Sequence, residues 1–369
     1  MSIKLEQPGL LDKWENIVEC NLGINETLPL SLDELIDDQA FFRELLALKL
    51  AFPQTNGTVE LRERIAALYT NTSPENILVT IGASQAIFTT MLTILQQGDE
   101  IILMPPTYMK PNKVAANFGF SSRYVMRLEE LGWGIDVDGL KHAVSKKTRM
   151  IYVCNPNNPT GQIMSASEME AVIDAADSVG AWILADEIFT GTERTTEEIT
   201  PTFWGKYSKV IVVSSLSKMD GLPGLRIGWV VAPKEITDAL WCNQGYNTIS
   251  SAMISNQVAA YALQPEVRSR LITRSRGLIH SGYQIIKAWA EKNKDYVSHV
   301  PPQATSSAFV RYHQSIPSYE LAERLIKEKS TLVMPGTAFG LDQHMRIGFS
   351  IPEDVLREGL NRIIQVLSE

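Results

Sequence analysis

The stretch "VVSSLSKMDGLPGLRIGWVV", residues 212–231, sets one lysine, Lys218, between two apolar runs. Residues 210–213 lead into it and residues 227–231 lead away, so Lys218 falls in a turn at a strand end and not on a solvated helix face. A loop lysine is by itself an ordinary surface residue. The rest of the chain gives this one meaning. Working outward, the same strand signal recurs in "NILVTI" (76–81), "EIILM" (100–104), "RMIYVC" (149–154), "AWILAD" (181–186) and "KVIVVSS" (209–215). Helix-like segments such as 84–96 and 167–179 separate these runs, and the alternation predicts an α/β domain with a mostly parallel sheet buried on both faces. Beyond about residue 260 the pattern changes to longer helices and short strands near "SAFVRY" (307–312) and "HMRIGFS" (344–350), which predicts a second, α+β domain. The expected division is an N-terminal arm over 1–45, a large domain over 46–255 and a small domain over 256–369.

The 369 residues, 44% of them hydrophobic, can bury a core of this kind. Residues 1–7 carry no apolar signal core and no run reaches the length of a membrane span, so a soluble cytoplasmic protein is expected. Cys20, Cys154 and Cys242 form no CxxC pair and the five histidines have no ligand spacing. Neither disulfide nor metal is expected, and the thiols should be buried and reduced. The formal charge of −8 argues against a nucleic-acid or anionic-membrane partner, while leaving room for a cationic small substrate.

Sheets of this type bind ligands beyond the carboxyl ends of their strands, and four such ends carry polar residues. In "TIGASQAIFTTML" a strand ends at Ile81, Gly82 gives the turn, and a helix starts at Ala83 or Ser84. Its free N–H groups and the Ser84 hydroxyl suit an anion, although such a turn also simply caps helices. "VCNPNNPTGQI" (153–163) is a proline-fixed turn that presents Asn155, Asn157 and Asn158. "WILADEIF" drops Asp186 at the end of an apolar strand, where a carboxylate needs a partner such as a protonated ring nitrogen unless it caps a helix. The fourth end is Lys218, whose amine could form a Schiff base, with Ser215, Ser217 and Arg226 as further phosphate ligands. Pyridoxal 5'-phosphate would use all four places together.

In that order, NPNNPTG, ADE and SLSK with Arg226 eight residues after Lys218 resemble the fold-type I pyridoxal-phosphate enzymes of the class I/II aminotransferase superfamily, over nearly the whole chain. The resemblance implies that Lys218 forms the Schiff base, Asp186 pairs with the ring nitrogen and Asn158 donates to the phenolic oxygen. Tyr108 in "PPTYMKP" would stack on the ring, while Ala83, Ser84, Ser215, Ser217 and Arg226 would hold the phosphate. Arg346 in "MRIGFS" would clamp the substrate α-carboxylate. A homodimer with shared active sites is implied too, with "YNTISSAMISNQ" (246–257) near the partner's site.

The departures from that pattern are informative. Phe189 stands where most relatives carry a tyrosine that bonds the phenolic oxygen, and Phe52 where a neighbouring-subunit tyrosine is usual. Asp220 replaces an aromatic residue two positions after the lysine, which suggests a cationic substrate. The segments "LLDKWENIVECNLGINETLPLSLDEL" (10–35) and "LVMPGTAFGLDQHMRIGFSIPEDVLREGL" (332–360) resemble capreomycidine synthases and pyridoxal-phosphate-dependent arginine oxidases, which handle arginine or hydroxyarginine. The expectation is an oxidase of L-arginine with O2 as co-substrate, giving a 2-keto product, with or without desaturation or hydroxylation of the side chain, together with hydrogen peroxide and ammonia. Glu15 and Asp220 are the expected holders of the guanidinium, since paired carboxylates match its fork. An aminotransferase and a cyclase of 3-hydroxyarginine are the alternatives.

Overall fold

The computed structural model describes residues 9–369; residues 1–7, read above for a leader, lie outside the described residues. Five helices matter below: Leu10–Trp14 (α1), Gly82–Ile94 (α2), Lys110–Phe118 (α3), Pro265–Lys292 (α4) and Glu353–Leu367 (α5). The apolar runs assemble into a seven-stranded sheet from Ile77–Thr80 (β1), Glu100–Leu103 (β2), Ser121–Tyr124 (β3), Thr148–Cys154 (β4), Trp182–Asp186 (β5), Val210–Ser215 (β6) and Gly228–Val231 (β7). Their spatial order is β1-β7-β6-β5-β4-β2-β3. Neighbours run parallel except at β7, which is antiparallel to both β1 and β6.

Every residue of β1, β2, β5 and β6 is buried, which is why these strands read as continuous apolar runs without alternation. Val79, Ile151, Ile183 and Val212 face one apolar core, and Leu78, Tyr152, Leu184 and Ile211 face the other, together with Ala86, Ile87 and Met91 of α2. Each large side chain buried this way stabilises the fold by about 1.5–3 kcal/mol. The edge strand β3, Ser-Ser-Arg-Tyr, is mostly exposed and gave no apolar signal to read.

A second core surrounds four antiparallel strands, Val297–His299 (β8), Ser307–Tyr312 (β9), Met334–Pro335 (β10) and His344–Gly348 (β11), in the order β8-β9-β11-β10. Helices α4 and α5 pack against it through Tyr283, Ile286, Leu356 and Ile363. The N-terminal segment joins this core. Leu10, Leu11, Trp14 and Val18 pack into it, and the short strand Cys20–Asn21 pairs in parallel with Thr331–Leu332.

Two local expectations change. Helix α2 begins at Gly82, ahead of Ala83 and Ser84, because Gly82 takes a φ of 70° that lets the chain turn directly from β1 into the helix. Cys242, expected to be buried, is a free exposed thiol, whereas Cys20 and Cys154 are free and buried. Among the described residues no helix is long and apolar enough to cross a membrane.

Candidate active site

The register of the central strands sets Cys154 beside Asp186 and Asp186 beside Val213, so the carboxyl ends of β4, β5 and β6 are level. Asp186 is 3% exposed. Its Oδ2 accepts a 2.8 Å hydrogen bond from the Tyr152 hydroxyl, and its Oδ1 accepts one of 3.3 Å from the Ile188 N–H. Burial raises this carboxyl to about 6, against the opposing pull of Tyr152, Ile188 and Lys218. Burial, and then the Asp186 charge, push Tyr152 well above its ordinary value, so the phenol remains a donor. Tyr152 was not singled out in the sequence, yet its place two residues before the end of β4 puts it on the face that meets Asp186.

Lys218 follows β6 and sends its Nζ to Glu26 Oε2, 3.1 Å away. Residues 22–27 run between the small sheet and the lysine loop. The Gly348 N–H donates to the Leu22 carbonyl, and Thr27 donates to the Lys218 carbonyl through both its N–H and its hydroxyl. Gly348 is required for this approach, since a Cβ there would lie 2.2 Å from the Ile24 carbonyl oxygen. Burial resists ionisation of Glu26, but Lys218, the Asn25 N–H and Arg346 together hold the carboxyl below its ordinary value. Glu26 was also missed in the sequence, where its only signal is an acid in a short loop between apolar and proline-bearing residues.

At the start of α2, Gly82, Ala83 and Ser84 present a first helical turn whose N–H groups have no partner within the helix. Arg226 reaches over it. A Cβ on Gly82 would lie 2.5 Å from Arg226 Nη2, and one on Gly228 would meet the Ala83 nitrogen at 2.5 Å. Arg226 Nη1 contacts Ser217 Oγ at 3.5 Å, and the Ser217 N–H donates to Ser215 Oγ at 3.2 Å. The predicted anion-binding residues Ala83, Ser84, Ser215, Ser217 and Arg226 therefore share one corner.

On the opposite side Arg346 in β11 donates from Nη1 to Asn158 Oδ1 at 3.0 Å and from Nη2 to the Gly23 carbonyl, leaving Nε buried without a partner. Burial lowers this guanidinium to about 10, with Glu26 and Tyr108 acting the other way. Tyr108, half-buried, packs on the core that contains Tyr152 and Cys154, while Phe189 is fully buried. Asn157 is spent on structure, bonding the Pro106 carbonyl and Thr160.

The two acids expected to hold a guanidinium are not joined to this cluster by any hydrogen bond or ion pair among the described residues. Glu15 is exposed at the end of α1, because Leu10, Leu11 and Trp14 turn that helix's apolar side onto the small-domain core. Asp220 is buried, has one oxygen without a partner, and faces Arg268 of α4; burial raises it to about 6 and Arg268 opposes this. The cause is local. The Met219 carbonyl accepts from Thr27 and from Ser275 of α4, which turns the chain after Lys218 toward that helix.

The family described as "Aminotransferase class I and II" matches residues 20–363, and the chain belongs to it. It is an enzyme of the pyridoxal-phosphate-dependent aminotransferase superfamily with the fold-type I architecture. Among its relatives is the capreomycidine synthase of Streptomyces vinaceus, 30% identical over 88% of this chain and 83% of that one. The aspartate aminotransferase of Sulfolobus acidocaldarius is 25% identical over 86% of this chain and 83% of its own. A solved structure of a PLP-dependent aminotransferase from Streptococcus suis superposes with a TM-score of 0.89 at 30% identity, covering 97% of this chain and 96% of that one. The site's own chemistry fits the cofactor: an amine at Lys218, a buried carboxyl at Asp186, and a cationic corner at the start of α2.

Proposed function

We infer that the protein acts on an amino acid with a cationic side chain, L-arginine fitting best, as an oxidase with dioxygen as co-substrate. The observation that carries the substrate class is Glu26, a half-buried carboxylate held 3.1 Å from Lys218 Nζ and within electrostatic reach of Arg346. Whenever Lys218 is drawn into chemistry, this acid needs another cation, since an unpaired buried charge costs several kcal/mol. A guanidinium would meet it with two parallel donors.

Pyridoxal phosphate, when bound, supplies the ring that takes up the electron pair left at the substrate Cα. Asp186 would hold its ring nitrogen, Asn158 its phenolic oxygen, Tyr108 its face, and the α2 corner its phosphate. Lys218 Nζ takes the Cα proton, and Arg346, with its free Nε, orients the α-carboxylate. Phe189 adds no hydrogen-bond donor. The overall balance is amino acid, dioxygen and water in, and 2-keto acid, ammonia and hydrogen peroxide out. Support for the oxidase reading is the resemblance of the 10–35 and 332–360 segments to arginine oxidases, while the capreomycidine synthase relative favours the cyclase.

Oxygen uptake by the purified protein with L-arginine and no keto acid, followed by mass spectrometry, tests the reading. Uptake with ammonia release supports it. Turnover only when a keto acid is supplied would establish the aminotransferase, the reading that the aspartate aminotransferase relative favours. Cyclisation of 3-hydroxyarginine without uptake would establish the cyclase. For Glu26→Gln, KM for L-arginine should rise about 10- to 100-fold while that for uncharged L-citrulline stays flat.

A homodimer belongs to the same proposal. Leu50 and Phe52 are each 79% exposed, and Tyr246 is 92% exposed. The two segments adjoin, since Trp241 and Gln244 both donate to Thr55. Apolar side chains so exposed on adjoining segments suit a second copy of the chain.

A further inference from the structure

Lys110 is in an unusual place for a lysine. It is the first residue of α3, and its Nζ donates to Ser84 Oγ at 3.0 Å, in the first turn of α2. A helix N-terminus carries about half a positive charge, so this ammonium lies at the repulsive end of its own helix and reaches for the repulsive end of another. Among the described residues no carboxylate pairs with it. Arg226 is in the same position, with Ser217 and the Pro223 carbonyl as its polar partners and its guanidinium against Gly82. Two full cations and a helix N-terminus thus converge on the first turn of α2, with no acid paired to either cation among the described residues.

We propose that Lys110 is a phosphate-holding residue of the cofactor site, adding a second cation to the corner formed by α2, Ser84 and Arg226. This rests on the pyridoxal-phosphate reading of the site and extends it to a residue outside the sequence motifs. The charge balance favours it. A phosphate monoester carries about −1.5 to −2 at neutral pH, which Arg226 and one helix terminus match only in part, and Lys110 supplies the remainder. The Lys110–Ser84 hydrogen bond holds the ammonium where a phosphate oxygen at the helix start would replace or share the serine hydroxyl as its acceptor.

The test is a spectroscopic titration of the cofactor-free full chain with pyridoxal phosphate and, in parallel, with pyridoxal, which lacks the phosphate. Lys110→Ala is expected to weaken pyridoxal phosphate about tenfold or more and to leave pyridoxal within about twofold, with Lys110→Arg restoring most of the loss. Wild type should also lose affinity with added salt more steeply than Lys110→Ala, because an exposed charge pair is screened. Equal losses for the two ligands, or no loss for pyridoxal phosphate, would overturn the assignment of Lys110 and leave the cofactor site standing. Failure of wild type to take up pyridoxal phosphate at all would overturn both.

Discussion

Replacing Asp186 by asparagine separates what this carboxyl is proposed to do for the cofactor from what it costs the fold. Burial moves the group from 3.8 to about 6. At about 1.4 kcal/mol per pH unit, that shift corresponds to a penalty of about 3 kcal/mol in the cofactor-free protein above that range. Between the two values the folded chain keeps a proton that the unfolded chain has released, so the group's contribution to stability falls as pH rises through the window and is level on either side. Asparagine keeps the shape and can accept from Tyr152 through its amide oxygen. Cofactor-free Asp186→Asn should therefore be about 1–3 kcal/mol more stable than its parent near pH 8 and indistinguishable near pH 4. Glu187, raised to about 7 by burial with Asp186 adding to it, relaxes in the same direction. With pyridoxal phosphate present the order should reverse, since only the parent keeps a charged partner for the ring nitrogen and gains the full linkage to binding. Urea unfolding at both pH values, with and without cofactor, reads all four cases. A cofactor-free variant no more stable than its parent near pH 8, or an advantage undiminished near pH 4, would refute the reasoning.

The cradle makes a second prediction. Gly82→Ala forces a Cβ onto a φ of 70° and into Arg226 Nη2. It should cost about 1–2 kcal/mol in thermal unfolding and weaken pyridoxal phosphate by at least about tenfold in titration. Arg346→Lys replaces a planar fork by a point charge, so KM for the amino-acid substrate should rise about tenfold in steady-state kinetics with cofactor affinity unchanged. Leu50→Glu should shift sedimentation from dimer to monomer while leaving the circular dichroism of the chain intact.

The parts of this molecule legible in the sequence are those in which one short stretch carries its own physical signal. β5 and β6 read as apolar runs because both faces are covered, and they end in Asp186 and in Ser214–Ser215, with Lys218 just beyond. The turn at Gly82 shows itself by residue type. What the sequence hid depends on distant pairings. Tyr152 looks like one more core residue until the register lays β4 beside β5, and Glu26 is one acid of several in the N-terminal segment until residues 22–27 are threaded past Lys218. Glu15 and Asp220 show the reverse case. Their charges were evident, but the packing of α1 and α4 turned them elsewhere.

The Arg346–Gly23 hydrogen bond joins positions 323 residues apart, and the Glu26–Lys218 pair joins positions 192 apart. During synthesis at about 5–20 residues per second, Gly23 waits tens of seconds before its partner exists. By the time Arg346 is added, Lys218 and every strand of the large sheet have already been made, so the Gly23–Arg346 contact is the later of the two to become possible. The proposed substrate side of the site is therefore completed only as the chain is finished, and a ribosome halted before β11 leaves the large sheet's strands without the arginine proposed to orient a carboxylate.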